Sequence, residues 1–140
     1  MERELPPIKT FKVFGERIDV LVNAATTEGV SAAVIQHVPP GGGPPPHSHV
    51  HEDETFYVLE GDIEFLHEGE WHPKGVGETV FGQRGVIHTF RNVGSTMGRV
   101  LIFIAPAGLE DYLEEISAHS PATDMPKILE ISKRFGVTFY

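Results

Sequence analysis

Residues 45–62, PPHSHVHEDETFYVLEGD, combine three alternating histidines with a stretch of β character that ends at a glycine. In an extended strand, side chains two residues apart point to the same face, so neighbouring histidines can bind one metal ion. Spacing alone allows either His47 with His49 or His49 with His51. A pair of alternating histidines can also belong to a solvated acidic loop, so a metal site requires further ligands from elsewhere in the chain.

Two further residues of the metal-binding type lie in neighbouring stretches. Glu54 begins the β-type stretch ETFYVLE, and His88 lies within a second such stretch, VIHTFRN. If the two strands are neighbours in a barrel, His88 comes to lie beside the other groups. Three imidazoles and one carboxylate suit iron, manganese, nickel, cobalt, copper or zinc, and they leave coordination positions open.

Short runs rich in Val, Ile, Phe and Thr continue on both sides of this segment. Clusters of Gly and Pro interrupt them about every eight to twelve residues, which predicts an all-β sandwich or barrel. The predicted strands cover 11–14, 17–22, 30–38, 54–60, 62–67, 78–82, 86–93 and 98–105, with a tight hairpin turn at Gly61-Asp62. PPGGGPPP at 39–46 is predicted to be a loop that leads into the histidines.

After Pro106 the apolar residues recur with helical spacing. The first apolar stripe consists of Leu109, Tyr112, Leu113 and Ile116. A second helix is predicted from Thr123 or Asp124 to Gly136, with a stripe of Ile128, Ile131 and Phe135. We therefore expect a β-barrel domain at 1–106 and a tail of two amphipathic helices at 107–140. The tail is expected to pack on the outer face of the barrel in a structural role.

The composition excludes several classes of protein. A chain of 140 residues supports one domain with its own core. The net charge of −9 repels phosphate backbones, so nucleic acid is not an expected partner. Because cysteine is absent, disulfides, thiolate nucleophiles and sulfur ligands are excluded. The N-terminal MERELPPIKT lacks the pattern of a signal peptide and no apolar run has spanning length, so we expect a cytoplasmic protein without a membrane partner.

Glycines at turn positions complete two motifs around the candidate ligands. The motif Gly-x5-His-x-His-x4-Glu-x6-Gly is present as Gly41, His47, His49, Glu54 and Gly61. The motif Gly-x5-Pro-x-Gly-x2-His-x3-Asn is present as Gly77, Gly85, His88 and Asn92, with Gln83 in place of the proline. Through both motifs the chain resembles the cupin superfamily, and within it the small quercetin 2,3-dioxygenase-like proteins.

The resemblance implies a double-stranded β-helix, or jelly-roll, barrel that contains one divalent transition metal ion. By position, the metal ligands would be His47, His49, Glu54 and His88. The register favours His47 over His51, because only then do the glycines and the carboxylate of the first motif coincide with the family pattern. Gln83 changes little, since the family proline stiffens a turn and does not contact the metal.

The resemblance also implies a function. We expect a metal-dependent, dioxygenase-like oxidoreductase that acts on a small aromatic or enolic compound, with Glu54 as proton acceptor. The alternatives are an oxygen-independent isomerase, lyase or decarboxylase, and a non-enzymatic cupin that binds a small molecule. A homodimer formed through the sheets is expected. Candidates for the apolar interior are Phe56, Val58, Phe65, Phe81, Phe90 and Phe103.

Overall fold

Eleven strands and three helices make up the part of the chain that the structure, a computed structural model, describes, residues 6–140. The strands are β1 (Lys9–Val13), β2 (Glu16–Val22), β3 (Ala32–Val38), β4 (His47–His49), β5 (Asp53–Glu60), β6 (Ile63–His67), β7 (Glu70–Lys74), β8 (Thr79–Gly82), β9 (His88–Asn92), β10 (Gly98–Ala105) and β11 (Val137–Phe139). The helices are α1 (Ala24–Thr27), α2 (Leu109–Ser117) and α3 (Met125–Arg134).

The strands form two antiparallel sheets that face each other. The six-stranded sheet has the order β1-β2-β3-β10-β5-β8, and the five-stranded sheet has the order β11-β4-β9-β6-β7. The chain crosses repeatedly between the sheets, so strands that are adjacent in sequence mostly lie in different sheets. This arrangement is the double-stranded β-helix barrel that the sequence predicts.

Alternation along the strands decides which side chains fill the barrel. In β10, Val100, Ile102 and Ile104 are buried, whereas Phe103 between them is 49% exposed. Phe81 of β8 is 55% exposed on the same outer face. The expectation of an inward position is therefore wrong for these two phenylalanines and correct for the buried residues Phe56, Val58, Phe65 and Phe90.

The predicted hairpin at Gly61-Asp62 does not form. β5 pairs with β10 and β8, while β6 pairs with β7 and β9, so the turn carries the chain from one sheet to the other. Gly61 has a φ of +94°, and a side chain there would approach the backbone of Gly98. The tight turns between paired strands lie instead at Phe14-Gly15 and Glu68-Gly69, where both residues of each turn have positive φ.

Both predicted C-terminal helices are present. α3 begins after Asp124, carries a proline in its first turn, and ends before Gly136, whose φ is +75°. A short strand that the sequence analysis missed, β11, follows and pairs with β4. The division into 1–106 and 107–140 stays a prediction, and residues 1–5 lie outside the described residues. No helix within residues 6–140 is long and apolar enough to cross a membrane.

Candidate metal centre

The barrel brings together the four side chains that the motifs single out. His47 and His49 lie on β4, Glu54 lies on β5, and His88 lies on β9. One potential ligand atom from each of the four lies within 4.8 Å of all the others. The register places His47 directly opposite His88, so the pairing of β4 with β9 joins the first motif to the second. His51, the alternative that spacing allows, is exposed and lies against Gly136.

Glu54 contacts two of the three histidines of this cluster. Its Oε2 lies 3.0 Å from Nε2 of His88, and its Oε1 lies 3.5 Å from Nε2 of His49. The ring centroid of His47 lies 4.8 Å from that of His49 and 4.6 Å from that of His88. The Nε2 atoms of His49 and His88 therefore converge on a buried carboxylate.

Backbone carbonyls orient two of the three imidazoles. Nδ1 of His47 donates to the carbonyl of Pro45 at 2.7 Å, and Nδ1 of His88 donates to the carbonyl of Val86 at 3.1 Å. A carbonyl can only accept, so Nδ1 carries a proton in both rings. In the neutral ring of His47 this leaves the lone pair of Nε2 for the cluster, whereas Nε2 of His88 donates to the ionised carboxylate of Glu54 until a metal ion replaces that proton. Such outer contacts are typical of histidines that bind metal ions.

Burial and the charges of neighbouring side chains shift the pKa values of all four residues of the cluster. Burial and the neighbouring histidines lower the pKa of His47 to about 3, and burial lowers the pKa of His49. Burial alone raises the pKa of Glu54, but His49, His88 and His47 together lower it to about 2. Burial lowers the pKa of His88, but its hydrogen bond to Glu54 and the charge of that carboxylate raise it overall.

The donor set fits a divalent transition metal ion. His49 is 3% exposed, and neither of its ring nitrogens has a hydrogen-bond partner among the described residues. A buried polar group without a partner costs about 1–3 kcal/mol, and a cation at Nε2 would remove part of that cost. Neutral imidazoles with one carboxylate are ligands that such ions prefer.

Three residues of the cluster, His47, His49 and Glu54, form one wall of a mostly apolar cavity inside the barrel. Phe56, Phe90 and Ile102 line it from the barrel side, and two polar side chains, Glu16 and Gln36, lie on the wall as well. Glu16 accepts a hydrogen bond from the amide of Gln36 at 2.9 Å. The sequence analysis missed both residues. Each lies two positions from an inward-facing residue of its strand, Glu16 from Ile18 on β2 and Gln36 from Val34 on β3, and therefore shares the inner face.

The C-terminal tail lines the cavity. It was expected to pack on the outer face of the barrel, but side chains of α2 and β11 lie on the cavity wall instead. The stripe of α2 that the sequence predicts turns into the cavity, and β11 adds two further residues. The tail residues on the cavity wall are Leu109, Tyr112, Leu113, Ile116, Val137 and Phe139. The helical stripe is thus part of the binding wall as well as of the core.

Comparison with known proteins agrees with this geometry. A family model described as "Cupin domain" matches residues 34–104. The chain is 28% identical over 101 residues to the protein named polyketide synthase CurC from Streptomyces cyaneus, a match covering 72% of this chain and 64% of the relative. The chain spans less than two thirds of the length of the curated relatives it matches.

Solved structures share the same architecture. A predicted oxalate decarboxylase from Thermotoga maritima is 25% identical with a TM-score of 0.63, covering 65% of this chain and 80% of that chain. KdgF from a Halomonas species is 19% identical with a TM-score of 0.66, covering 74% of this chain and 90% of that chain. The second likeness concerns the fold alone.

Proposed function

Because the chain belongs to the cupin domain family, we propose that it is a metal-dependent enzyme that oxidises a small aromatic or enolic compound in a dioxygenase-like reaction. The observation that carries this proposal is the cluster of His47, His49, Glu54 and His88, three of which, His47, His49 and Glu54, line an apolar cavity. The three histidines would hold a divalent transition metal ion through Nε2, and Glu54 would hold it through its carboxylate. When bound, such an ion supplies Lewis-acid polarisation of substrate oxygens.

Glu54 is the proposed proton acceptor. With a pKa of about 2, its carboxylate is ionised at neutral pH, which is the form that an acceptor needs. The hydroxyl groups of enols and phenols are more acidic than the alcohol groups of a free sugar, and polarisation by a bound metal ion would make them more acidic still. Enols and phenols therefore suit this acceptor better.

The cavity wall supports the same class of substrate. Among residues 6–140, no Lys or Arg lines the cavity, so a phosphate or a dicarboxylate finds no counter-charge beyond the metal. Three arginines of the barrel are paired with carboxylates instead: Arg84 with Asp53, Arg91 with Glu64, and Arg99 with Glu60. A neutral molecule with a flat apolar body matches the aromatic lining better than an anion does.

Oxygen consumption tests the reaction type. The chain is loaded separately with iron, manganese, nickel, cobalt, copper or zinc, and oxygen uptake is followed with flavonols and catechols as substrates. We expect uptake with at least one metal and none with the metal-free chain. Absence of uptake under every loading would contradict the proposed dioxygenase-like reaction.

The second candidate is an oxygen-independent decarboxylase or isomerase, which the likeness to the predicted oxalate decarboxylase supports. Turnover of an enolic or keto acid under strictly anaerobic conditions would favour this reaction. Retention of a ligand without turnover in either atmosphere would favour a cupin that only binds small molecules.

We also propose that a second copy of the chain covers the outer face of the six-stranded sheet. Phe103 pairs with Thr55, which pairs with Phe81, so the three form one row across the sheet. Leu101 and Tyr57 form the next row. An exposed aromatic patch of this kind marks an interaction surface, and an uncharged patch can pack against its own copy around a two-fold axis.

A further inference from the structure

Outer hydrogen bonds hold two of the three imidazoles of the cluster in place, but not the third. His47 and His88 direct Nε2 inward and donate Nδ1–H to the carbonyl two residues earlier. His49 directs Nε2 toward Glu54, 3.5 Å away, but its Nδ1 has no hydrogen-bond partner within the described part of the chain. The third imidazole lacks the outer acceptor that the other two possess.

A buried carboxylate lies on the outer side of that ring. Glu52 is 5% exposed, its Oε2 lies 3.9 Å from Nδ1 of His49, and this oxygen also lacks a partner among residues 6–140. Two buried polar groups without partners thus face each other just beyond hydrogen-bond distance. Terminal torsions of His and Glu are broad, so a small rotation of either side chain closes the gap.

The backbone around His49 is fixed, so rotation of the ring is the remaining freedom. The carbonyl of His49 accepts from the amide of Gly85 at 2.7 Å, and the amide of Val50 donates to the carbonyl of Gly136 at 3.0 Å. β4 has a neighbouring strand on each side, and strand carbonyls lie in the plane of the sheet. A side chain therefore has to supply the acceptor that a carbonyl supplies to His47 and His88.

An ion pair with arginine does not account for Glu52. Arg84, the nearest candidate, donates Nε and Nη2 to the two carboxylate oxygens of Asp53, at 3.2 and 3.1 Å. The backbone amide of Arg84 also donates to Asp53, at 2.8 Å. The guanidinium of Arg84 is thus paired with Asp53, and Glu52 faces His49 instead.

We propose that Glu52 is a positioning residue of the metal centre: it accepts the Nδ1 proton of His49 and thereby fixes the tautomer that presents Nε2 to the metal ion. This inference rests on the proposed metal-dependent function. A carboxylate behind a ligating imidazole orients the ring and increases its basicity, and its removal typically lowers metal affinity about 10- to 100-fold. Glu52 would thus complete the pattern that the two carbonyls begin.

Metal titration of matched variants tests the proposal. Zinc and manganese are titrated, in competition with a chelator, into the wild-type chain, Glu52→Ala, Glu52→Gln and the control Asp53→Asn. We expect roughly 10- to 100-fold weaker binding in Glu52→Ala. The amide oxygen of Glu52→Gln can still accept, so this variant is expected to keep most of the affinity, and Asp53→Asn is expected to match the wild type.

A spectroscopic measurement separates positioning from a general structural effect. In the zinc-loaded chain, the Nδ1 proton of His49 is expected as a downfield, slowly exchanging NMR signal. That signal should move in Glu52→Gln and disappear in Glu52→Ala, while those of His47 and His88 remain. Unchanged affinity in Glu52→Ala, or an unmoved His49 signal in Glu52→Gln, would overturn the inference. Failure of the wild-type chain to bind zinc, manganese or any of the other four metals of the oxygen assay would instead overturn the proposed function, and the two failures are therefore distinguishable.

Discussion

Phe139 lies directly opposite His47 in the antiparallel pairing of β11 with β4. The same strand places Val137 opposite His49, so the C-terminal strand supports both histidines of the first motif. Beyond the strand, the amide of Tyr140 donates to the carbonyl of Pro46 at 3.0 Å. The tail thus contributes to the geometry of the cluster and to the wall of the cavity.

Deletion of residues 137–140 is expected to weaken metal binding while the barrel remains folded. β4 has only three residues and meets β9 at a single register pair, so β11 supplies much of its support. Loss of one or two net hydrogen bonds, at about 1 kcal/mol each, corresponds to roughly a tenfold loss of affinity. Metal titration with circular dichroism checks this, and the exposed Thr138→Ala serves as the control. Wild-type affinity in a folded deletion would show that β4 holds the ligands alone.

His47→Ala and His88→Ala are expected to reduce the metal content from one ion per chain to near zero. The barrel core is apolar packing, so both variants should keep the β-sheet spectrum. His88→Ala also leaves the buried carboxylate of Glu54 without its closest partner and should lower the melting temperature more than His47→Ala does. Elemental analysis of purified protein measures the effect. His51→Ala is the matched control, and equal metal loss there would reverse the assignment of the ligand pair.

Glu54→Gln is expected to lower the turnover rate by about 10²- to 10⁴-fold at equal metal occupancy, because an amide cannot accept the substrate proton. Substrate binding should persist, since the three imidazoles and the apolar wall remain. Single-turnover rates of fully loaded protein provide the measurement. Near-normal turnover in the loaded variant would restrict Glu54 to a ligand role.

Metal binding is expected to release the Nε2 proton of His88 wherever the pH lies below the pKa of that ring. Both ring nitrogens of His88 lie against acceptors, the carbonyl of Val86 and the carboxylate of Glu54, and this carboxylate raises the pKa of the ring against the effect of burial. Burial lowers the pKa values of His47 and His49. Affinity should therefore rise about tenfold per pH unit below the pKa of His88 and level off above it. In the metal-free protein, the pairing with Glu54 stabilises the fold below that pKa and is lost as the pH rises through it. Calorimetry in buffers of different ionisation enthalpy counts the protons, and a count near zero would contradict the paired state.

Phe103→Glu is expected to convert the proposed dimer to monomers. A charge placed in a row of aromatic residues faces the same charge on the second copy across a two-fold axis, and like-charge juxtaposition costs several kcal/mol. The dissociation constant should rise by roughly 10- to 1000-fold, as measured by sedimentation velocity. Leu129→Glu, an exposed position on α3 and so not part of the six-stranded sheet, is the control. A monomeric wild-type chain would refute the proposal.

The sequence predicts that these four side chains come together, because the constraint on their spacing is strict. Two histidines at alternate positions of a strand must share a face, and glycines with positive φ, such as Gly41 and Gly85, are required at the flanking turns. The apolar stripes of α2 and α3 are equally predictable, because the buried face of an amphipathic helix must be apolar. Residue spacing therefore predicts local geometry of this kind directly.

Pairing between distant segments is not predictable in the same way. A glycine turn such as Gly61-Asp62 looks alike whether it joins paired strands or carries the chain to the other sheet. The three residues of β11 are too few to show a period, and β7 contains Pro73 within polar neighbours. Glu52 gives no signal of burial in the sequence, because it lies in the irregular connection between β4 and β5.

The pairing of β11 with β4 also has a consequence for biosynthesis. Residues 137–139 are made about ninety residues after His47 and His49, which corresponds to roughly 5–20 seconds of translation. During that interval β4 has no outer neighbour, and the cavity lacks the wall that α2 and β11 provide. The nascent barrel therefore exposes its imidazoles before β11 is synthesised, and uptake of the proposed metal ion in its final geometry would follow synthesis of the tail.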